Sequence, residues 1–233
     1  MKIGVAFSGS GIGAASAHVF AEELRKCSLA IEMLSVTSLA AVPSLLWTRG
    51  IQMDTIAELM NLFSAEKTPY AGLKMLERMG AFQTMPVCNL AVNSVDAATG
   101  ISVIYSDIVS SDAWNLKVLP LTGNESVALS STISPYKGSE SFSDDGMQLC
   151  DFAIRYGCPF FPLKMAGMER LLSVSFAGGD APAQIAADSL SSLTGKNADL
   201  HYTVKLIDVT DTREQIQTFV QEHIAEIYDK MLF

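Results

Sequence analysis

Apolar residues fall along this chain in two rhythms. Lys2 to Phe7 is a short apolar run bounded by the glycine-rich segment Ser8 to Gly13, the pattern of a buried strand. From Ile12 to Lys26 the apolar positions Ala17, Phe20, Ala21 and Leu24 recur at helical spacing. Ala30 to Thr37 predicts a second strand, which runs directly into Ser38. Leu39 to Arg49 predicts a helix with Pro43 near its start and Gly50 as its stop. Asp54 is placed to cap a helix through Phe63, and Ala71 to Met79 predicts another. Met85 to Val92 and Gly100 to Tyr105 read as a hairpin around the polar turn Asn93 to Thr99. Gln148 to Tyr156 reads as a short helix ended by Gly157, Leu171 to Phe176 as a strand, and Pro182 to Leu193 as a helix with proline at its start. Asp199 to Ile207 alternates apolar and polar, as an edge strand does. The last helix opens at Asp211, with Glu214 three residues on as in a capping box, and buries Ile216, Phe219, Val220, Ile224, Ile227 and Met231. Strands alternating with helices predict a single α/β domain over residues 1–233, a three-layer α/β/α sandwich with a largely parallel central sheet.

Composition narrows the partners. The 233 residues are 49% hydrophobic and 18% charged, with a net charge of −9. That much apolar surface offsets chain entropy, which excludes global disorder. The negative charge repels nucleic acid, so no nucleic-acid partner is expected. It also weakens attraction to anionic lipid, although an apolar surface can still make a peripheral membrane contact. No run reaches the ~18 apolar residues of a membrane span; the richest, Leu39 to Trp47, is broken by Pro43 and Ser44. Met1-Lys2 followed by so short an apolar strand is a poor signal peptide, which leads to the expectation of a cytoplasmic, reduced protein. Cys27, Cys88, Cys150 and Cys158 fit no metal spacing and are expected as free thiols. The sequence leaves the oligomeric state open.

Two strand-to-helix junctions can carry chemistry. Ser8-Gly9-Ser10-Gly11-Ile12-Gly13-Ala14 joins the first strand to the first helix. A glycine-rich turn there aims backbone N–H groups at one point, at the positive end of a helix, and can hold a phosphate or an oxyanion. The same segment satisfies G-x-G-x-x-A, the dinucleotide fingerprint. A dinucleotide site wants an acid at the end of the second strand, whereas Glu32 lies at its beginning. The second junction is Val36-Thr37-Ser38-Leu39-Ala40. A serine at the tip of strand, turn and helix has the placement of a nucleophile elbow, and equally that of an ordinary helix cap.

Together these junctions resemble the patatin-like phospholipase family. That family opens with a strand, a glycine-rich oxyanion turn and a helix. A second strand then carries the serine of G-x-S-x-G, and an aspartate follows in a later Asp-Gly-Gly or Asp-Gly-Ala motif. Asp144-Asp145-Gly146-Met147 resembles that last motif, residues 91–108 the hairpin ahead of it, and residues 130–142 the small-residue stretch with a proline. The order agrees from Lys2 to Ile207. The resemblance implies a serine acyl hydrolase acting on lipid or other carboxylic esters without metal or cofactor. Ser38 would be the nucleophile, Asp145 its base, and Gly9, Ser10 and Gly11 the oxyanion donors. Asp144 would be a solvated turn residue, and His18, His201 and His223 would take no part. The sequence departs from the family's pattern at Gly13, where a basic residue is usual, and at Ala14, Val36, Ala40 and Met147, which replace glycines. Val36 is expected to splay the elbow. The alternative is a catalytically impaired member of the fold that binds a lipid or a protein partner.

Overall fold

The first strand is buried on both faces, and its alternation sets up two unequal layers. The computed structural model describes residues 1–9, 12–133, 142–178, 182–206 and 211–233. Its strands are β1 (Ile3–Ser8), β2 (Ile31–Val36), β3 (Asn89–Asp96), β4 (Ser102–Tyr105), β5 (Leu116–Leu119), β6 (Phe142–Asp144), β7 (Met147–Asp151), β8 (Arg170–Ala177) and β9 (Leu200–Lys205). Its helices are α1 (Ala17–Lys26), α2 (Ala41–Thr48), α3 (Met53–Ala65), α4 (Pro69–Arg78), α5 (Glu125–Ile133), α6 (Ala153–Tyr156), α7 (Phe161–Met165), α8 (Pro182–Gly195) and α9 (Thr212–Leu232). The strands form one sheet in the order β5-β4-β3-β2-β1-β8-β9, with β7 joined to β3 and β6 to β7. β3, β2, β1, β8 and β9 are mutually parallel. β4 and β5 run the other way at one edge. This is the α/β/α sandwich on a largely parallel sheet that the sequence pattern leads to.

The two faces carry different side chains. Val5, Phe7, Leu34, Val36, Val92, Val174 and Phe176 belong to the larger core, with Phe20 of α1 and Ile216 and Val220 of α9. Phe7 and Phe20 meet edge to face with ring centroids 6.0 Å apart, a favoured aromatic geometry. On the other face Ala6, Met33, Ala91 and Leu171 pack with Cys158, Leu163 and Met168. Small side chains are needed there because the connection through α7 lies close to the sheet. A Cβ on Gly4 would stand 2.8 Å from Met168 Cγ.

The site depends on a detail of register. β2 pairs with β3 only as far as Val36 opposite Val92. Beyond that point β7 arrives antiparallel and pairs Asp96 with Leu149, Val95 with Cys150 and Ser94 with Asp151. Since β4 holds the other edge of β3 at the same residues, β7 occupies the slot that β2 has left. Two strands therefore meet there, carboxyl end to carboxyl end.

Several expectations are corrected here. Residues 148–156 are not one helix: Met147–Asp151 is a strand, and only Ala153–Tyr156 is helical. Met147, Leu149 and Asp151 alternate with Gln148 and Cys150, a period of two that a sheet neighbour can use. β3 continues through Asp96, so the hairpin turn starts later than Asn93. Gln52, not Asp54, takes the cap position of α3, and α4 starts at Pro69, with Thr68 accepting the Ala71 N–H at 3.2 Å. Asp211 stands at the cap of α9, but its side chain makes no capping bond. The four cysteines are free thiols. Among the described residues no helix is long and apolar enough to cross a membrane.

Candidate functional site

Thr37 continues β2 by one residue, its N–H donating to the Phe7 carbonyl at 3.1 Å. The chain then turns sharply. Ser38 has φ +61, a left-handed backbone that non-glycine residues adopt at a cost on the order of 1 kcal/mol or more. A single 3₁₀ turn, Ser38–Ala40, leads into α2. This is the strained strand–turn–helix geometry of a nucleophile elbow. Val36 does not splay it. Its side chain is buried in the larger core, and its backbone stays in register with Phe7 and Val92.

The head-on meeting of β2 and β7 delivers the acid. Ser38 Oγ donates to Asp151 Oδ2 at 2.5 Å. Asp151 Oδ1 accepts the Thr37 hydroxyl at 2.8 Å and the Ala153 N–H at 2.9 Å. Thr132 of α5 closes the group, accepting the Ser38 N–H at 3.0 Å and donating to the Asn93 carbonyl at 2.6 Å. Ser38, Thr37, Thr132 and Asp151 are all buried. Burial pushes the Asp151 carboxyl up from 3.8 to about 6, and the charge of Asp188 on α8 adds to the rise. The bonds from Ser38, Ala153 and Thr37 oppose it. A carboxylate with such a value changes charge just below neutrality, where a general base is most useful.

Asp145 stands elsewhere. It and Gly146 form the two-residue turn between β6 and β7, with φ +46 and +77, as in a type I′ hairpin. The Asp145 side chain is 80% exposed and accepts from Lys117 Nζ at 3.2 Å. All five residues of β7 lie between that turn and the elbow, about 17 Å at the usual rise per residue. The expected pairing of Ser38 with Asp145 is therefore corrected to Ser38 with Asp151. Asp-Gly between two short strands is a hairpin signal before it is anything else. The signal that was missed is Asp151-Phe152-Ala153, an aspartate ending an alternating strand with a small residue two positions on. That small residue is the one whose N–H returns to the carboxylate.

Of the expected oxyanion donors, Gly9 is described, while Ser10 and Gly11 lie outside the described residues. Gly9 follows β1 with φ +124, and a Cβ there would stand 2.2 Å from the Phe176 carbonyl oxygen. Only glycine fits at this position. Met147, which stands where the resemblance would have a glycine, belongs to the hairpin with Asp145 and lies away from Ser38. None of the three histidines bonds to Ser38 or Asp151. His18 is buried in α1, which lowers it to about 4. His201 is bonded to Ser173 and Thr203, and His223 stacks on Phe219. Among the described residues no three metal-ligating side chains cluster. A cavity of about 730 Å³ lies beside the carboxyl ends of β8 and β9, lined by Asp188, Ser192, Thr203 and Lys205. Another, of about 410 Å³, lies beside Trp47 and Ile31, at the amino end of β2.

No family model and no curated protein matches the sequence. Solved structures do match the coordinates. VipD from Legionella pneumophila superposes over 99% of this chain and 67% of its own, with a TM-score of 0.50 and 10% identity. ExoU of Pseudomonas aeruginosa, solved in complex with SpcU from the type III secretion system, aligns over 100% of this chain and 52% of its own, with a TM-score of 0.44 and 12% identity. The chain thus spans about two thirds of the first and half of the second. At such identities the likeness is one of fold alone: this chain shares with VipD an α/β/α sandwich on a mostly parallel sheet.

Proposed function

We propose that this protein is a serine acyl hydrolase of the patatin-like kind, cleaving carboxylic esters of lipids with Ser38 as nucleophile and Asp151 as general base. The observation that carries this reading is the 2.5 Å bond from Ser38 Oγ to Asp151 Oδ2, made by a serine held at φ +61. A free serine hydroxyl is a weak nucleophile and needs a base at this distance. Asp151 takes the hydroxyl proton as Oγ adds to the ester carbonyl. The developing oxyanion needs N–H donors, a contribution of ~3 kcal/mol each in a comparable case, and the glycine turn that starts at Gly9 is the proposed source. Collapse of the tetrahedral intermediate expels the alcohol, protonated by Asp151, and leaves an acyl-serine. Water, deprotonated by the same carboxylate, then releases the acid. No metal or cofactor enters these steps.

A second reading has an observation of its own. Ser38 is only 2% exposed, so little of its surface is offered to a substrate in this arrangement. A protein of this fold that binds a lipid or a protein partner without turnover would keep it buried. The two readings separate on one experiment: incubation with a fluorophosphonate probe, then digestion and mapping of the modified peptide. The hydrolase carries the label on Ser38, and Ser38→Ala does not label. An intact chain that takes up no label at any pH between 5 and 9 favours the binding protein.

A further inference from the structure

Thr37 has one hydroxyl proton and three oxygens in reach: Asp151 Oδ1 at 2.8 Å, the Asn93 carbonyl at 3.2 Å and Thr132 Oγ1 at 3.1 Å. Thr132 lies closer to the same carbonyl, at 2.6 Å, and accepts the Ser38 N–H at 3.0 Å. A hydroxyl donates once. The Thr132 proton goes to Asn93, its shortest contact, and that leaves the Thr37 proton for the carboxylate.

We propose that Thr37 and Thr132 are positioning residues that work as a relay: Thr132 occupies the Asn93 carbonyl and pins the Ser38 peptide, which frees Thr37 to hold Asp151 with Oδ2 turned to the nucleophile. The relay's effect on turnover rests on the dyad reading above; its effect on Asp151 rests on the hydrogen bonds alone. Two donors on Oδ1, from Thr37 and Ala153, fix the plane of the carboxyl and favour its charged form. The elements come from four parts of the chain, β2, β3, α5 and β7, so the arrangement is not a by-product of one local turn. The other charged or titratable groups around the carboxyl are Asp188 on α8 and Cys150 next to it on β7. Asp96 on β3 and Arg155 on α6 act in turn on Cys150. The hydrogen bonds to Asp151 come from Ser38, Thr37 and Ala153.

The relay makes an unusual prediction: removing a hydroxyl that does not touch Asp151 changes Asp151. Thr37→Val deletes the donor itself. Thr132→Val leaves the Asn93 carbonyl open, and Thr37 turns toward it. Both variants weaken the charged carboxylate, whereas Thr37→Ser and Thr132→Ser keep the hydroxyls. The direct measurement is a carbon-13 NMR titration of the side-chain carboxyl, assigned through Asp151→Asn. It needs no substrate and no activity. The midpoint is expected to rise by about one pH unit in Thr37→Val, the size of a lost bond to a charged group. It is expected to rise by a smaller amount in Thr132→Val and to return to the wild-type value in both serine variants. The double valine variant should titrate like Thr37→Val. Fluorophosphonate labelling then reports the consequence, its acid limb moving with the titration and its plateau falling about tenfold in Thr37→Val. A wild-type protein that never labels but whose Asp151 shifts as described removes the dyad reading and keeps the relay. Equal Asp151 midpoints in folded wild-type and Thr37→Val protein overturn the relay, and so does a shift in Thr132→Val that persists in Thr132→Ser.

Discussion

The two ends of β7 each present an aspartate, and they could hardly differ more. Asp145 opens the strand from a hairpin turn, exposed and paired with Lys117. Asp151 closes the strand in a buried slot, with three donors on its oxygens. Sequence context favours the first, since it stands before a glycine. Geometry favours the second, since β7 replaces β2 beside β3 and its last residue faces the elbow. A carboxylate becomes a base by where its strand ends, and the motif around it is secondary.

Substitutions at the two ends should separate sharply. Ser38→Ala and Asp151→Asn should each lower hydrolysis of p-nitrophenyl butyrate by ~100-fold or more, the usual reach of a positioned base. Asp145→Asn should leave it unchanged. Asn at position 151 retaining most of the activity, with Asn at 145 losing it, reverses the assignment.

The glycine turn comes next in size. Gly9→Ala places a methyl group 2.2 Å from the Phe176 carbonyl oxygen. Both atoms sit on backbone, so neither yields cheaply, and a loss of about 3 kcal/mol or more in urea denaturation is expected. A Gly9→Ala protein as stable as wild type would mean that the turn has room to spare. Val36→Gly is expected to cost ~2–4 kcal/mol as a core cavity and to bring no gain in ester turnover, since the elbow already forms around valine. A faster Val36→Gly enzyme would restore the steric argument against that residue.

A smaller effect follows from the raised carboxyl. Asp151 binds its proton more tightly folded than unfolded, so its contribution favours the fold at low pH. That contribution is complete below about 3.8 and is lost as pH rises through about 6. Above that pH the fold carries a buried charge. Asp151→Asn should therefore be more stable than wild type at pH 8, by about 1–3 kcal/mol, and the difference should vanish near pH 4. Thermal midpoints of the two proteins across that range check the sign. The exposed Asp145–Lys117 pair should contribute nothing measurable at either pH.

Much of the fold could be read from the chain. Short apolar runs located β1, β2 and β8, alternation located β9, and helical spacing located the long helices, because each signal comes from residues close in sequence. Ser38 could be found as well, because an elbow is local: a buried strand, one turn residue, then a helix. Asp151 could not. β7 is five residues long, and its pairing partner on β3 lies some fifty residues away in sequence. Nothing in Met147 to Asp151 states that the slot beyond Val36 will be free. The short run that followed, Ala153–Tyr156, is helical, and it drew the strand ahead of it into a helix reading. The threonines escaped for a related reason. Thr37 and Thr132 acquire a task only when β2, β3 and α5 are assembled.

The central claim, that the base is Asp151, is tested most directly by the rate of fluorophosphonate labelling from pH 4.5 to 8.5 in wild type, Asp145→Asn and Asp151→Asn. Wild type and Asp145→Asn should share one curve, rising from acid with a midpoint near 6 as the buried carboxyl ionises. Asp151→Asn should stay low and flat across the range. A curve that survives Asp151→Asn, or one that disappears in Asp145→Asn, would place the base at the other end of the strand or off it altogether.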